Sequence, residues 1–152
     1  MENKLKSVLS DIKSGLPIEE ASRDVDWKDF EGLVAEVLES KNFEVVRNFR
    51  MKKPTKEIDV VGIRLDTAVL IDCKHWKRMS NSALEGIVQK QIERVKHYVS
   101  ITDEIMAAPV IVTLYQESVK LINKVPIVPI MQFSSFIDEF YGNLDNIRIV
   151  EK

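Results

Sequence analysis

Two short apolar runs with a polar break between them form the clearest pattern in the sequence. β-Branched and aliphatic residues fill Ile58 to Ile63 and Ala68 to Ile71, and Leu65-Asp66 lies between them. Runs of this length and composition favour strands, and the break is polar enough for a turn. The pattern therefore predicts a β-hairpin.

The register of this hairpin decides which charges meet. If the loop contains an even number of residues, Asp59 lies directly opposite Asp72, and Glu57 lies opposite Lys74. Because side chains alternate along a strand, these four charged residues share one face. The other face is predicted to pack on the core and consists of Ile58, Val60, Val69, Ile71 and Cys73.

Apolar residues at helical spacing predict helices on either side of the hairpin. A short packing helix is predicted within Met1 to Gly15, where Gly15 and Pro17 stop it. A second helix begins after Asp26 as its N-cap and carries an apolar stripe to Leu38. A third covers Ser82 to Val99.

The remaining segments complete a sheet. Lys41 to Arg50 is typical of a turn followed by a strand, and Pro109 to Leu114 of a central strand parallel to a neighbour. We expect a helix over Tyr115 to Ile122, a short strand over Pro126 to Ile130, and an edge strand over Ile147 to Val150. A last helix, with Ser134 or Ser135 near its start, is predicted from Phe133, Phe136, Ile137 and Phe140.

Length and composition are those of one soluble globular domain. The chain has 152 residues, of which 45% are hydrophobic and 30% charged, with no linker that would divide it. We predict a single domain, 1–152, with an N-terminal helical extension (1–25), a core (26–100) and a scaffold that completes the sheet (101–152).

The composition also points to an intracellular, cytoplasmic protein. No apolar run approaches a membrane span, so no membrane partner is expected, and the first segment is too polar for a signal peptide. A single cysteine excludes an internal disulfide, and two histidines argue against a zinc cluster.

Charge is distributed unevenly along the chain. The net charge is −2, which by itself argues against a nucleic-acid partner. Between Arg47 and Lys96, however, twelve Lys and Arg residues outnumber six Asp and Glu, so this third is +6 and the remainder −8. A basic zone of this kind around the hairpin suits phosphate binding.

Two aspartates facing each other need a compensating cation, because like charges across a ladder are destabilising. Lys74 is one candidate, and a divalent metal is another. Mg²⁺ binds one or two carboxylates and keeps several waters, and Lys74 is placed to touch such a water or a phosphate. The alternative is a surface hairpin with ordinary salt bridges.

These residues resemble the active-site core of the PD-(D/E)XK nuclease superfamily. Asp59 matches the first acidic residue, and Asp72-Cys73-Lys74 matches the (D/E)XK triplet. The most similar subgroup comprises the Mrr-like restriction endonucleases and archaeal Holliday-junction resolvases, and the resemblance runs from Trp27 to Tyr98. It includes Phe30-Glu31-x-Leu33, Asn42 to Val46, and Gln91. The chain departs from the pattern in having no proline before Asp59 and in beginning the triplet with Asp.

The resemblance implies a fold, an activity and a set of roles. The fold is α/β, a restriction-endonuclease-like three-layer α/β/α arrangement with a mixed central sheet. The activity is Mg²⁺-dependent cleavage of DNA, with Mn²⁺ as a substitute, often by a homodimer. Asp59, Asp72 and the backbone carbonyl of Cys73 hold the metal, and Lys74 positions or helps deprotonate the attacking water.

Two helical residues have both a structural and a functional interpretation. Gln91 projects into the apolar stripe of its helix, where an amide needs a partner. The resemblance implies that it orients Lys74 or the nucleophile, and the alternative is a buried structural hydrogen bond. Glu31 matches a helical glutamate that joins the metal site directly or through water, and the alternative is an exposed glutamate favoured by the helix dipole.

Basic and aromatic residues flank the hairpin. Those predicted to contact nucleic acid are Lys52, Lys53, Lys56, His75, Trp76, Lys77 and Arg78. Solvated loops, and for Trp76 a core position, are the alternatives. The sequence leaves open three functions besides a restriction-like or repair nuclease: a Holliday-junction resolvase, a catalytically silent nucleic-acid-binding or assembly module, and a structural protein with a charged hairpin.

Overall fold

The computed structural model describes residues 27–74, 80–114 and 119–152, so the helix predicted within Met1 to Gly15 lies outside the described residues. The elements in these ranges are α1 (Trp27–Ser40), β1 (Glu44–Met51), β2 (Lys56–Arg64), β3 (Thr67–Lys74), α2 (Asn81–Ile101), β4 (Met106–Thr113), β5 (Lys120–Ile122), β6 (Val125–Pro129), α3 (Ile130–Asp138), a 3₁₀ helix (Tyr141–Asn146) and β7 (Val150–Glu151).

The strands of the described residues form one mixed sheet in the order β1-β2-β3-β4-β6-β5, with β7 beside β4. The β1-β2-β3 meander is antiparallel, whereas β3, β4 and β6 run parallel. Helix α2 is the crossover that joins β3 to β4, as a parallel connection requires. The prediction of a central β4 parallel to its neighbour is confirmed.

Helices cover both faces of this sheet. On one face Phe30, Val34 and Leu38 of α1 pack with Val60 and Ile71, alongside Phe133 and Ile137 of α3. On the other face lies α2, which contacts Val61 and Leu70 through Val95 and Val99, and Ile111 through Leu84, Val88 and Ile92. The predicted three-layer α/β/α arrangement is confirmed. None of the described helices is long and apolar enough to cross a membrane.

The predicted hairpin is present, and its register is as predicted from the turn to Val60 and Ile71, but the predicted pairs Asp59–Asp72 and Glu57–Lys74 do not form. Pairs run from Arg64 and Thr67 at the turn to Val60 and Ile71. Leu65 and Asp66 have φ values of 53° and 64°, which is the left-handed geometry of a two-residue hairpin loop. Pairing ends at Val60 and Ile71, so Asp59 and Asp72 lie where the two strands begin to separate.

One face assignment is wrong. Ile58 was expected beside Val60, yet it packs with Met51 and Tyr98 on the α2 side, while Val60 packs against α1. The cause lies on β1, where Asn48 adopts φ 54° between the pairs Arg47–Val60 and Phe49–Ile58. The left-handed residue interrupts strand alternation, and Phe49 also turns toward Tyr98.

The C-terminal third departs further from expectation. The helix predicted over Tyr115 to Ile122 is wrong at its described end, because Lys120–Ile122 is strand β5, paired with β6. Residues 115–118 lie outside the described ranges. Helix α3 begins at Ile130, so Ser134 and Ser135 lie within it rather than at its start. In place of the strand expected over Ile147 to Val150, only Val150–Glu151 pairs, with β4.

Candidate active site

The predicted site residues meet at the edge of the sheet where β2 and β3 separate. A cavity of about 800 Å³ opens there. Beyond the last strand pair, the Cys73 backbone N–H donates to Asp59 Oδ2 at 2.9 Å. The aspartate side chain thus takes the place of a strand carbonyl and is fixed beside Asp72. The lining residues are Glu31, Asn48, Thr55, Lys56, Glu57, Asp59, Asp72, Cys73, Lys74, Lys90, Glu93 and Arg94.

The two aspartates form an electrostatically strained pair. Burial, opposed by the Cys73 hydrogen bond and reinforced by the nearby Asp72 carboxylate, raises the pKa of Asp59 to about 7. Asp72 Oδ2 is buried and makes no hydrogen bond. A buried carboxylate oxygen without a hydrogen bond, beside a second carboxylate, is an arrangement that a cation would stabilise.

Lys74 supplies a positive charge at this point. Its Nζ lies 3.3 Å from Asp72 Oδ2, and its side chain is 21% exposed at the cavity wall. The contact is an ion pair without hydrogen-bond geometry. Lys74 is therefore close enough to interact with Asp72 while its ammonium group still faces the cavity.

Glu31 reaches the same cavity from α1. Its side chain is 12% exposed and lies 3.8 Å from Arg47, and Asn48 donates to Glu31 Oε1 at 3.4 Å. Burial raises the pKa of Glu31, and these two neighbours oppose the shift. The Glu31 charge also contributes to raising the pKa of Asp59, so the two carboxylates are in electrostatic contact.

The donor set fits a hard divalent cation that keeps part of its water. In the described parts of the chain, no three His, Cys, Asp or Glu side chains are arranged as a ready-made metal cluster. Asp59 and Asp72 nevertheless supply two convergent carboxylates, which is the number that Mg²⁺ commonly takes from a protein. The Cys73 thiol is buried and its pKa is raised well above the usual value, so it is not a thiolate ligand.

Gln91 is fully buried on α2, as its position on the apolar stripe predicts. Its Nε2 donates to the Leu70 carbonyl at 2.8 Å, and its Oε1 accepts from Arg94 Nη1 at 2.9 Å. Arg94 in turn lies 3.8 Å from Asp72 Oδ2. Gln91 is thus linked to the aspartates through Arg94.

Three polar residues at or beside the site were missed by sequence reasoning. Arg94 follows Gln91 by three residues, which places both on one side of the helix. Asn48 lies opposite Asp59, between the strand pairs Arg47–Val60 and Phe49–Ile58. Thr113 pairs with Lys74, and its buried hydroxyl makes no hydrogen bond. The spacing to Gln91 was the one signal in the sequence that could have identified Arg94.

The predicted nucleic-acid contacts are only partly described. Lys56 lines the cavity, and Lys52 and Lys53 are exposed in the adjoining β1–β2 loop. His75, Trp76, Lys77 and Arg78 lie outside the described residues.

Comparison with known proteins identifies the domain type. Residues 22–130 match the catalytic-domain family of Mrr restriction endonucleases. This range includes every residue of the candidate site. No curated protein matches the sequence.

Thirteen chains of solved structures match. One is a protein of unknown function with 18% identity and a TM-score of 0.44. The match covers 70% of this chain and 52% of that protein. This chain therefore spans about half the length of that protein. Another is the small subunit of the heterodimeric restriction endonuclease R.BspD6I, with 14% identity and a TM-score of 0.49. The match covers 97% of this chain and 82% of that subunit.

Proposed function

The chain belongs to the Mrr catalytic-domain family of restriction endonucleases, and from that membership we propose that it cuts DNA by metal-dependent hydrolysis of phosphodiester bonds. One observation carries the proposal: Asp59 and Asp72 converge at the open end of the hairpin, where a buried Asp72 oxygen makes no hydrogen bond. Lys74 stands 3.3 Å from that oxygen, in the same cavity.

Asp59, Asp72 and the backbone carbonyl of Cys73 are the proposed ligands of the ion, Mg²⁺ or in its place Mn²⁺. When bound there, the ion supplies positive charge to the phosphate and acidity to a water. In its ammonium form Lys74 would hold the attacking water or a phosphate oxygen by a hydrogen bond; it would help deprotonate that water only as a neutral amine, which takes up the proton. Its ammonium also offsets negative charge that develops on the phosphate during in-line attack.

Glu31 is proposed to join the site through water or by holding a second ion. The hydrogen bond from Asn48 and the nearby Arg47 support this by fixing the Glu31 carboxylate at the cavity wall. Gln91 acts on the site through Arg94, because its own oxygen accepts from that guanidinium. An influence of Gln91 on Lys74 would therefore pass through Arg94 and Asp72.

DNA is the proposed partner and is expected to lie along the basic residues beside the cavity. Lys56 supports this because it lines the cavity, and Lys52 and Lys53 support it because they are exposed in the adjoining β1–β2 loop. Residues His75 to Arg78, which follow Lys74 directly, are proposed to contact the same DNA. We also propose that the protein acts in the cytoplasm as a homodimer, as the sequence resemblance implies.

Cleavage of plasmid DNA and of a synthetic four-way junction tests this function. Each substrate is incubated with Mg²⁺, with Mn²⁺ or with EDTA, beside Lys74→Ala and a control, Lys96→Ala, on the exposed face of α2. We expect metal-dependent cutting that the first variant loses and the control keeps.

The preferred substrate then decides between a restriction-like or repair nuclease and a junction resolvase. DNA binding that is unaffected by metal, with no cutting of either substrate, would instead identify a silent binding module.

A further inference from the structure

Arg94 occupies an unusual position for a charged residue. It lies at the edge of the α2 face that packs on the sheet, with a side chain only 24% exposed and open to the active-site cavity. A partly buried guanidinium must recover the hydration it loses through hydrogen bonds or ion pairs. The contacts that hold it therefore indicate what it is positioned to do.

Gln91 fixes Arg94 at one end. The amide is completely buried and its two ends have different partners, since Nε2 donates to the Leu70 carbonyl and Oε1 accepts from Arg94 Nη1. A carbonyl partner requires the NH₂ end and a guanidinium requires the oxygen, so the amide has one orientation. Gln91 thus anchors Arg94 to the backbone of β3.

The contact of Arg94 with Asp72 is weaker. Nη1 lies 3.8 Å from Asp72 Oδ2, which is beyond hydrogen-bond distance, and Lys74 Nζ lies closer to the same oxygen at 3.3 Å. Within residues 27–74, 80–114 and 119–152 the Arg94 guanidinium makes no hydrogen bond except the one to Gln91. The carboxylate therefore attracts the guanidinium without using up its donors.

A guanidinium held in this way matches a phosphate group. It has five N–H donors in a planar fork, of which Gln91 takes one. Two parallel hydrogen bonds to a phosphate are its most favourable pairing with an anion. Its distance from Asp72 places that phosphate next to the carboxylates proposed to act in cleavage.

We propose that Arg94 binds a phosphate of the DNA substrate at the active site and that Gln91 is the positioning residue that aims it there. This inference rests on the proposed nuclease function. It assigns the buried Gln91 amide a role in substrate binding, and it adds a cation to the site that complements Lys74. Arg94 touches the substrate, whereas Gln91 acts through Arg94.

Binding measurements test the contact independently of cleavage. In an Asp59→Asn background, affinity for a labelled DNA duplex is measured with Mg²⁺ present at salt concentrations between about 50 and 200 mM. Arg94→Gln should weaken binding and reduce the slope of log affinity against log salt by about one, the value for one lost phosphate contact. Lys96→Gln, an exposed residue on the same helix, should leave the slope unchanged.

Kinetic measurements test whether Gln91 orients the Arg94 guanidinium for cleavage. Under single-turnover conditions, Arg94→Lys keeps the charge but loses the fork, so we expect its rate of cleavage to fall about 10²- to 10³-fold. Gln91→Ala should lower the rate in wild-type Arg94 but add little to Arg94→Gln. A purely structural role for Gln91 would instead lower the rate by the same factor in both backgrounds.

The outcomes separate this inference from the proposed function. If wild-type protein cuts DNA while Arg94→Gln keeps both its rate and its salt slope, the phosphate contact is refuted and the nuclease stands. If the slope changes while wild-type protein does not cut, the contact stands and the nuclease is refuted. Absence of DNA binding at every salt concentration overturns both.

Discussion

At Asp59, burial and a neighbouring carboxylate act in the same direction. Both favour the protonated form, and together they bring the pKa of this residue to about 7. A proton and the divalent cation proposed to bind here would therefore compete for one position in the folded protein. The folded state without metal binds a proton at Asp59 far more strongly than an unfolded chain does.

This competition predicts how stability depends on pH. A carboxyl group whose pKa is raised on folding stabilises the protein below its unfolded pKa, and that contribution is lost as the pH rises through the folded value. In EDTA, the free energy of unfolding should therefore fall between about pH 4 and pH 7. Urea denaturation of wild-type protein and Asp59→Asn across this range checks it.

The variant supplies the control because it cannot titrate at this position. Its pH dependence should be shallower than that of the wild type, with a residual slope of the same sign from Glu31, whose pKa is also raised by burial. Mg²⁺ should restore stability to the wild type above pH 7 and have less effect on the variant. Parallel pH profiles for the two proteins would contradict the assignment.

At the scale of residues, the sequence predicts best where geometry is local. The two-residue loop was sufficient to bring Asp59 to the level of Asp72, because the register follows from the turn. Helical projection placed Gln91 inward for the same reason. The same projection leaves Arg94 at the edge of the stripe, where an arginine usually points to solvent, so the spacing alone did not select it. The face of Ile58 depended on the left-handed Asn48 of another strand, which no local pattern indicates.

Among the elements, the contact between α1 and β2 determines how closely Glu31 approaches the aspartates. Gly62 makes that contact possible, because a Cβ built there would lie 3.0 Å from Leu38 Cδ1 and 3.3 Å from Phe43 Cδ2. Gly62→Ala should therefore destabilise the protein by about 1–3 kcal/mol, the usual cost of overpacking a core. Chemical denaturation measures it.

Gly86 provides the matched substitution. It lies on the exposed side of α2, and a Cβ there would meet nothing within 4 Å. Gly86→Ala should stabilise the protein by about 0.5–1 kcal/mol through helix propensity alone. Equal effects of the two substitutions would show that α1 does not pack closely on Gly62.

Elements with strong internal periodicity were predictable, and short ones were not. Helices α1 and α2 and strand β4 carry their pattern within their own residues. Strand β5 contains three residues, and it is a strand because Lys120 to Ile122 pair with β6, which is a non-local cause. The local sequence pattern that predicted a helix over Tyr115 to Ile122 contains no information about pairing with β6.

Across the whole molecule, charge separates along the strands. The β1–β2 loop, with Lys52 and Lys53, adjoins the candidate active-site cavity. At the turn end of the hairpin Glu104 lies near three further carboxylates, Asp66, Asp103 and Glu44, whose negative charges add to the effect of burial in raising its pKa. This polarity should orient DNA toward the cavity despite a net charge of −2.

The orientation predicts which lysines matter for binding. Changing Lys52 and Lys53 together to Gln should weaken DNA binding and reduce the salt slope by up to about two. Lys124, in the turn between β5 and β6 at the opposite end of the parallel strands, is the matched control. Fluorescence anisotropy over a salt series compares them, and equal losses from both ends would contradict an oriented complex.

The measurement that tests the central claim most directly is the single-turnover rate of DNA cleavage by Asp72→Asn. Asp66→Asn is its control, an identical substitution in the same hairpin, in a turn residue with φ 64° that asparagine tolerates. With Mg²⁺ present, we expect the first variant to lose at least about 10³-fold in rate and the second to match the wild type. Cleavage by Asp72→Asn at the wild-type rate would show that the paired aspartates are not the catalytic centre.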